Sequence, residues 1–271
     1  MQTVIAKGFS IPIVGLGTWA LRGRECARLT EQAIRIGYRH IDTAQMYENE
    51  REVGEGVRAS GRRAEVMVTT KVQPTMLAPP DLERSVKESL ARLRLDVIDL
   101  LLIHWPNPRV PLAETLGAMA KMKHAGYVRA LGVSNFTVAL LDEANRVTTE
   151  PLVCNQIEYH PFLNQDIVLA ACRKAGMAVV AYSPIARGGT KGNAVLEGVG
   201  QAHGKSAAQV SLRWLVQQGV VVIPRTSKVE RLQENFDLFD FELSDAEMQK
   251  IAGLARGGGR IVNFAWSPKW D

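Results

Sequence analysis

The stretch VIDLLLIHW, residues 97–105, is apolar apart from Asp99 until it reaches His104. A continuous run of this kind reads as a parallel strand covered on both faces, because an exposed face would demand alternation. Similar runs flank it. Upstream lies VMVTTK (66–71), with weaker runs at 38–43 and 13–19. Downstream lie YVRALGVSN (127–135), LVCNQIEYH (152–160), MAVVAYSP (177–184) and VVVIPR (220–225). These make eight candidate strands, and the segments between them carry helical periodicity. In the third such segment Leu82, Val86, Leu90 and Leu93 share one face behind the start signal Pro79-Pro80-Asp81. Eight alternations predict an α/β fold, a closed (β/α)8 barrel rather than an open sheet, although open sheets also alternate; a short N-terminal hairpin is expected before it. Ser244 and Glu247 have capping-box spacing and predict an extra C-terminal helix outside the eightfold pattern. The two tryptophans of the tail, Trp266 and Trp270, predict that residues 260–271 pack against something, with the barrel mouth as a candidate.

The 271 residues suit one barrel domain spanning 1–271. The composition, 46% hydrophobic and 23% charged, is that of a globular protein with a large core. Cys26, Cys154 and Cys172 are odd in number and form no CxxC, which argues against a disulfide framework or a zinc site. No HxH or HxxxE pair suggests another metal, so no metal site is expected. The N-terminus lacks a signal-peptide pattern, and no apolar run approaches the ~20 residues of a membrane helix. The expectation is a cytoplasmic protein with no membrane or nucleic-acid partner. The net charge of +5 is not gathered into a basic tail and favours a ligand carrying phosphate or carboxylate.

The polar residues gather at the strand ends. His40, Asp42 and Thr43 close the second strand, Lys71 the third and His104 the fourth. Ser134 and Asn135 close the fifth, Gln156 the sixth, Tyr182 and Ser183 the seventh, and Arg225 the eighth. In a barrel these ends share one face, where active sites are built. Each residue also has a plainer reading: Asp42 as a helix cap, Tyr47 as packing, Lys71 as a surface charge, His104 as a core histidine. Together they suggest chemistry. A phenol titrates near ~10. A lysine ammonium beside Tyr47 would stabilise its phenolate, Asp42 would hold that lysine, and His104 would orient a substrate oxygen. Such a proton donor implies a hydride source, hence a nicotinamide. Lys71 alone could instead form a Schiff base, as in barrel aldolases.

The segment GYRHIDTAQMYENE, residues 37–50, resembles the aldo-keto reductase signature G-[FY]-R-x-[IL]-D-[TS]-A-x-x-Y-x-N-E. LGVSNF (131–136) and IPRTSK (223–228), followed by Arg231, Glu234 and Asn235, are similar to the family's second and third signatures. The chain looks most like the short bacterial 2,5-diketo-D-gluconate reductase-like members. The resemblance implies NADPH-dependent reduction of a small carbonyl substrate by a monomer. It implies that Tyr47 is the general acid, Asp42 and Lys71 its supports, and His104 the carbonyl-orienting residue. Ser134, Asn135 and Gln156 would hold the nicotinamide carboxamide, and Tyr182 would stack on its ring. Ser183, Ile185 and Gly188 fall in the loop across the pyrophosphate. Arg225, Thr226 and Arg231 match a 2′-phosphate clamp, and Glu234 and Asn235 the adenine contacts. Trp19, Met46 and Trp105 would wall the substrate pocket. Gln73 stands where many longer relatives carry Trp, which leaves room for a small or polar substrate. Arg22 or Arg24 could reach a carboxylate. The competing reading from another class is a cofactor-binding sensor on the same fold.

Overall fold

The computed structural model describes residues 2–271. An antiparallel hairpin comes first: β1 (Thr3–Ala6) and β2 (Phe9–Pro12), turned by Lys7 and Gly8. Both turn residues have positive φ, 48° and 81°, as the tight primed hairpin turns require. Eight strands follow: β3 (Leu16–Gly17), β4 (His40–Asp42), β5 (Met67–Val72), β6 (Ile98–Ile103), β7 (Val128–Ser134), β8 (Leu152–Glu158), β9 (Ala178–Tyr182) and β10 (Val221–Val222). All pair in parallel and in chain order.

The barrel closes between its first and last strands. Val14 bridges Val222, the Gly15 amide donates to Val222 O at 2.8 Å, and the Gly17 amide donates to Pro224 O at 3.0 Å. These seam strands are shorter than the apolar runs at 13–19 and 220–225 predict. The backbones approach so closely that a Cβ on Gly17 would lie 2.7 Å from Ile223 O, and Pro224 has no N–H to extend a ladder. Inside the barrel Leu100, Leu102, Val153, Val180 and Val221 form one cluster with Ala6 and Ile11 of the hairpin. Met67 and Ala178, the first residues of β5 and β9, belong to the same cluster, so the hairpin stoppers the N-terminal end.

The helices form the outer layer: α1 (Gly23–Ile36), α2 (Glu50–Ala59), α3 (Pro79–Leu93), α4 (Leu112–His124), α5 (Val138–Val147), α6 (Asp166–Lys174), α7 (Ala194–His203), α8 (Ala207–Gln217), α9 (Val229–Phe236) and α10 (Asp245–Ala252). In α3 the four apolar residues of the predicted face are buried behind a proline at the first turn. The capping box of α10 is formed: the Ser244 amide donates to Glu247 Oε2 at 2.8 Å, and the Glu247 amide to Ser244 Oγ at 3.4 Å. The strand–helix alternation does not anticipate α7, an additional helix between β9 and α8. No helix among the described residues is long and apolar enough to cross a membrane.

Helix α2 packs unusually close to its neighbours. A Cβ on Gly54 would stand 2.0 Å from Leu93 O at the end of α3. Backbone cannot yield as a flexible side chain does. Gly54→Ala is expected to lower the unfolding free energy by about 1–3 kcal/mol, an overpacking cost. Gly198→Ala, on α7 with nothing within 4 Å of the added methyl, is expected to be stabilising by about 0.4–1 kcal/mol. Denaturant unfolding of the pair checks the contrast, and equal stabilities would refute the packing argument.

Candidate active site

Four side chains converge at the C-terminal end of the barrel. Asp42 ends β4, Lys71 lies near the end of β5, and His104 follows β6. Tyr47 sits on a short 3-10 turn, Gln45–Tyr47, just after β4. That turn is tied down from several sides. Asn49 Nδ2 donates to Thr18 O (2.8 Å) and Leu21 O (3.0 Å), and Asn49 Oδ1 accepts from Thr43 Oγ1 at 2.7 Å. Gln45 Oε1 accepts the Gln73 amide at 3.0 Å, and Arg22 donates to Tyr47 O.

Lys71 is the hub. Its Nζ donates to Asp42 Oδ1 at 2.5 Å, to Thr43 O at 2.9 Å and to the Tyr47 hydroxyl at 3.3 Å. The other carboxylate oxygen, Asp42 Oδ2, accepts from Gln156 Nε2 at 2.7 Å. Lys71 and Asp42 are both essentially inaccessible. The Tyr47 ring meets His104 edge-on, with centroids 5.5 Å apart. Ser134, Asn135, Gln156 and Tyr182 form an adjoining network. Tyr182 OH donates to Asn135 Oδ1 (2.8 Å), Asn135 Nδ2 donates to His104 O (2.9 Å), and Ser134 Oγ donates to Gln156 O (2.8 Å). Asn135 is held at φ 63°, a conformation Asn tolerates better than most residues and one that recurs at functional sites.

The electrostatics follow from depth. Tyr47 keeps part of its ring open to a cavity, but its hydroxyl lies among buried groups. Burial raises its pKa above the ordinary phenol value; Lys71 pulls the other way, and Asp42 adds to burial. The lysine therefore acts in the expected direction without winning, and Tyr47 stands as a neutral phenol. Burial alone would lower Lys71, but Asp42 and then Tyr47 outweigh it and hold the ammonium above its ordinary value. A Schiff-base lysine needs a depressed pKa and a free amine, so this arrangement does not support the aldolase reading. Burial, then Lys71, keeps His104 well below the ordinary histidine value, hence neutral. Its buried Nδ1 has no partner, which leaves Nε2 to meet a ligand.

A cavity of about 390 Å³ opens above these groups. Asp42, Tyr47 and His104 line it, as do Trp19, Met46 and Trp105. So do Ser134, Asn135, Gln156, Tyr182, Ser183, Ile185 and Gly188, and at its far arm Arg225, Thr226 and Arg231. Lys71 lies beneath the floor rather than in it. Glu234 and Asn235 are not part of the lining; Glu234 accepts from Ser206 Oγ at 2.5 Å. Gln73 is also outside, in a separate cleft with Gln45. Arg22 is spent on Tyr47 O and, at 3.9 Å, on Glu48. Sequence reasoning missed Arg187, Lys228, Val262 and Phe264, all of which border the cavity. Arg187, at φ 53°, places its guanidinium 4.5 Å from the Trp19 ring centroid. The tail covers the mouth as its tryptophans predict: Phe264, Trp266 and Trp270 pack on Trp105 with centroids 5.6, 5.1 and 6.0 Å away.

The sequence profile of the Aldo/keto reductase family matches residues 13–256. The chain belongs to the aldo/keto reductase family. It is 38% identical over 266 residues to the methylglyoxal reductase DkgB of Yersinia pestis, covering 97% of this chain and 100% of that protein. It is 41% identical over 250 residues to the glyoxal reductase of Bacillus subtilis, covering 92% and 90%. A crystal structure provisionally named a 2,5-diketo-D-gluconic acid reductase B superposes with a TM-score of 0.98 at 45% identity, over 100% of this chain and 98% of that one. As an aldo/keto reductase, the chain is an oxidoreductase of a family that acts on small carbonyls with a nicotinamide cofactor.

The neutral histidines have a consequence for stability. Burial drives His40 from its ordinary 6.5 to about 4; Lys71 reinforces this and Asp42 opposes it. Its folded value lies below its unfolded one, so below pH 6.5 the unfolded chain binds more protons. The stabilisation is present above that pH and is lost as pH falls towards 4. For His40 the loss amounts to about 3 kcal/mol, and His104 acts with the same sign. Denaturant unfolding between pH 7 and 4.5 should show this fall in wild type and a shallower one in His40→Gln. An unchanged acid slope would remove His40 from the account.

Proposed function

We propose that this protein reduces small aldehydes, α-dicarbonyls or keto-sugar acids such as 2,5-diketo-D-gluconate to alcohols with NADPH. The observation that carries the reading is Lys71 Nζ, bonded at once to Asp42 and to the Tyr47 hydroxyl beside a neutral His104.

The cavity fits the cofactor. Among the described residues Arg225, Lys228 and Arg231 have no carboxylate within ion-pair distance, although they share one arm of the cavity with the Thr226 and Ser227 hydroxyls. Unpaired cations and hydroxyls suit a phosphate dianion, which guanidinium groups bind in bidentate fashion. This supports NADPH over NADH. Ser134, Asn135 and Gln156 would hold the carboxamide, Tyr182 would offer the stacking surface, and Ser183, Ile185 and Gly188 would border the pyrophosphate. Glu234 and Asn235 follow Arg231 on α9 and would serve the adenine end. When bound, the nicotinamide supplies the hydride.

The chain's own residues do the rest. His104 Nε2 donates to the carbonyl oxygen and fixes its position next to Tyr47. Tyr47 keeps its proton until negative charge develops on that oxygen, then gives it up. The phenolate left behind faces the Lys71 ammonium, which Asp42 keeps charged. Trp19, Met46 and Trp105 shape the space around the substrate. Every one of these groups comes from one chain, which supports a working monomer, and we take its setting to be the cytoplasm.

Tyr47→Phe is expected to lower kcat for methylglyoxal by about 10²–10⁴-fold, the usual worth of a general acid, while NADPH still quenches tryptophan fluorescence. Loss of reduced-nicotinamide absorbance follows the rate, and undiminished turnover would reject Tyr47 as the acid. Arg231→Ala should raise KM for NADPH by about 10–100-fold, the range for losing charged hydrogen bonds, and leave KM for NADH nearly unchanged. Equal effects on both cofactors would refute the phosphate clamp.

A further inference from the structure

Glu158 is the last residue of β8 and is completely buried, yet the chemistry above makes no use of it. Burying a carboxylate is expensive unless its oxygens are answered. Here they are answered from over a hundred residues away. Oε1 accepts the Ile261 amide at 2.6 Å, and Oε2 accepts the Val262 amide at 2.7 Å. His160 Nε2 lies 3.0 Å from Oε1. Burial would push Glu158 upward, but His160 and the two amides hold it below the usual carboxylate range.

The residues it grips begin the C-terminal tail. Val262 and Phe264 line the cavity, and Phe264 stacks on Trp266 with centroids 4.8 Å apart and the rings nearly parallel. Phe264 and Trp266 are about half exposed, so packing holds only one face of each. The tail is tied to itself by Trp270 Nε1 donating to Asn263 Oδ1 at 2.9 Å. On its inner side Gly259 abuts the chain so closely that a Cβ would fall 1.9 Å from Phe162 O. Two carboxylates anchor this segment: at its start Glu158 accepts the Ile261 and Val262 amides, and at its far end Asp271 Oδ2 accepts the Val138 amide at 3.0 Å.

We propose that Glu158 is a positioning residue for substrate selection: its buried carboxylate docks residues 261–262 and thereby sets the wall that the tail contributes to the cavity. It touches neither substrate nor reacting atoms. Substrates large enough to reach Phe264 feel the docking, and two- or three-carbon carbonyls do not. The proposal rests on the carbonyl-reductase reading for its kinetic half, whereas the docking itself is independent of it.

Glu158→Gln tests it with little change in size. An amide offers one acceptor oxygen and one donor group, so a tail amide or His160 must face a donor. Hydrogen exchange across residues 260–271 of the full chain should quicken by about tenfold or more, with the core strands unchanged. KM for 4-nitrobenzaldehyde should rise by about tenfold, while kcat for methylglyoxal stays within about threefold. Phe264→Ala should raise KM for 4-nitrobenzaldehyde likewise, and the double variant should add little to either, since both act through one wall. Unchanged tail exchange in Glu158→Gln would overturn the docking role. Equal losses on both substrates together with a lowered Tm would overturn the selective role in favour of a structural one. If wild type reduces neither carbonyl, the reductase reading fails, and the exchange result alone decides the docking.

Discussion

The structure turns on one ion pair removed from water. Lys71 and Asp42 are both buried, a placement in which desolvation can exceed the attraction between the charges. Removing either partner from such a pair typically costs about 3–5 kcal/mol. The remaining bonds to the pair explain why it is tolerated. The ammonium is shared among Asp42, Thr43 O and Tyr47, and the second carboxylate oxygen is bonded to Gln156. The last of these crosses the barrel from β4 to β8. The bond to Gln156 thus depends on the barrel being formed, and the charges of the pair modulate Tyr47 and His104, whose neutral states are set first by burial.

Much of this was legible in the chain. Parallel strands covered on both faces have to be apolar, so their ends stand out where polar residues resume, and Asp42, Lys71, His104, Ser134, Gln156 and Tyr182 all occur there. The capping box of α10 and the proline start of α3 are local devices and were read locally. That the tail packs against the barrel followed from its two tryptophans, with the mouth as one candidate, and Trp266 still keeps about half its surface exposed.

What the sequence hid depends on depth and distance. The balance at Tyr47 is set by burial against Lys71, and no spacing between residues 47 and 71 encodes how far the hydroxyl lies from solvent. Arg187 looks like an ordinary loop cation until the fold turns it to the cavity. Glu158 carried a weak signal, an ionisable residue within an apolar strand, but its partners lie at 261 and 262. Helix α7 was missed because alternation counts one helix per strand. The seam strands are shorter than the apolar runs that contain them, because apolar composition does not report where glycine and proline interrupt a ladder.

The seam has a further implication, for biosynthesis. Residues 14 and 222 must meet before the sheet has no edge, so closure joins segments separated by most of the chain. Such non-local pairing is slow to form. A polypeptide emerging from the ribosome would carry the exposed edge of β3 throughout, and an unpaired edge is a template for association with other chains. That edge, Leu16–Gly17, is only two residues long and flanked by Gly15. A short, glycine-rich edge is a poor template, and the geometry that lets the finished barrel close also shields the unfinished one from its neighbours.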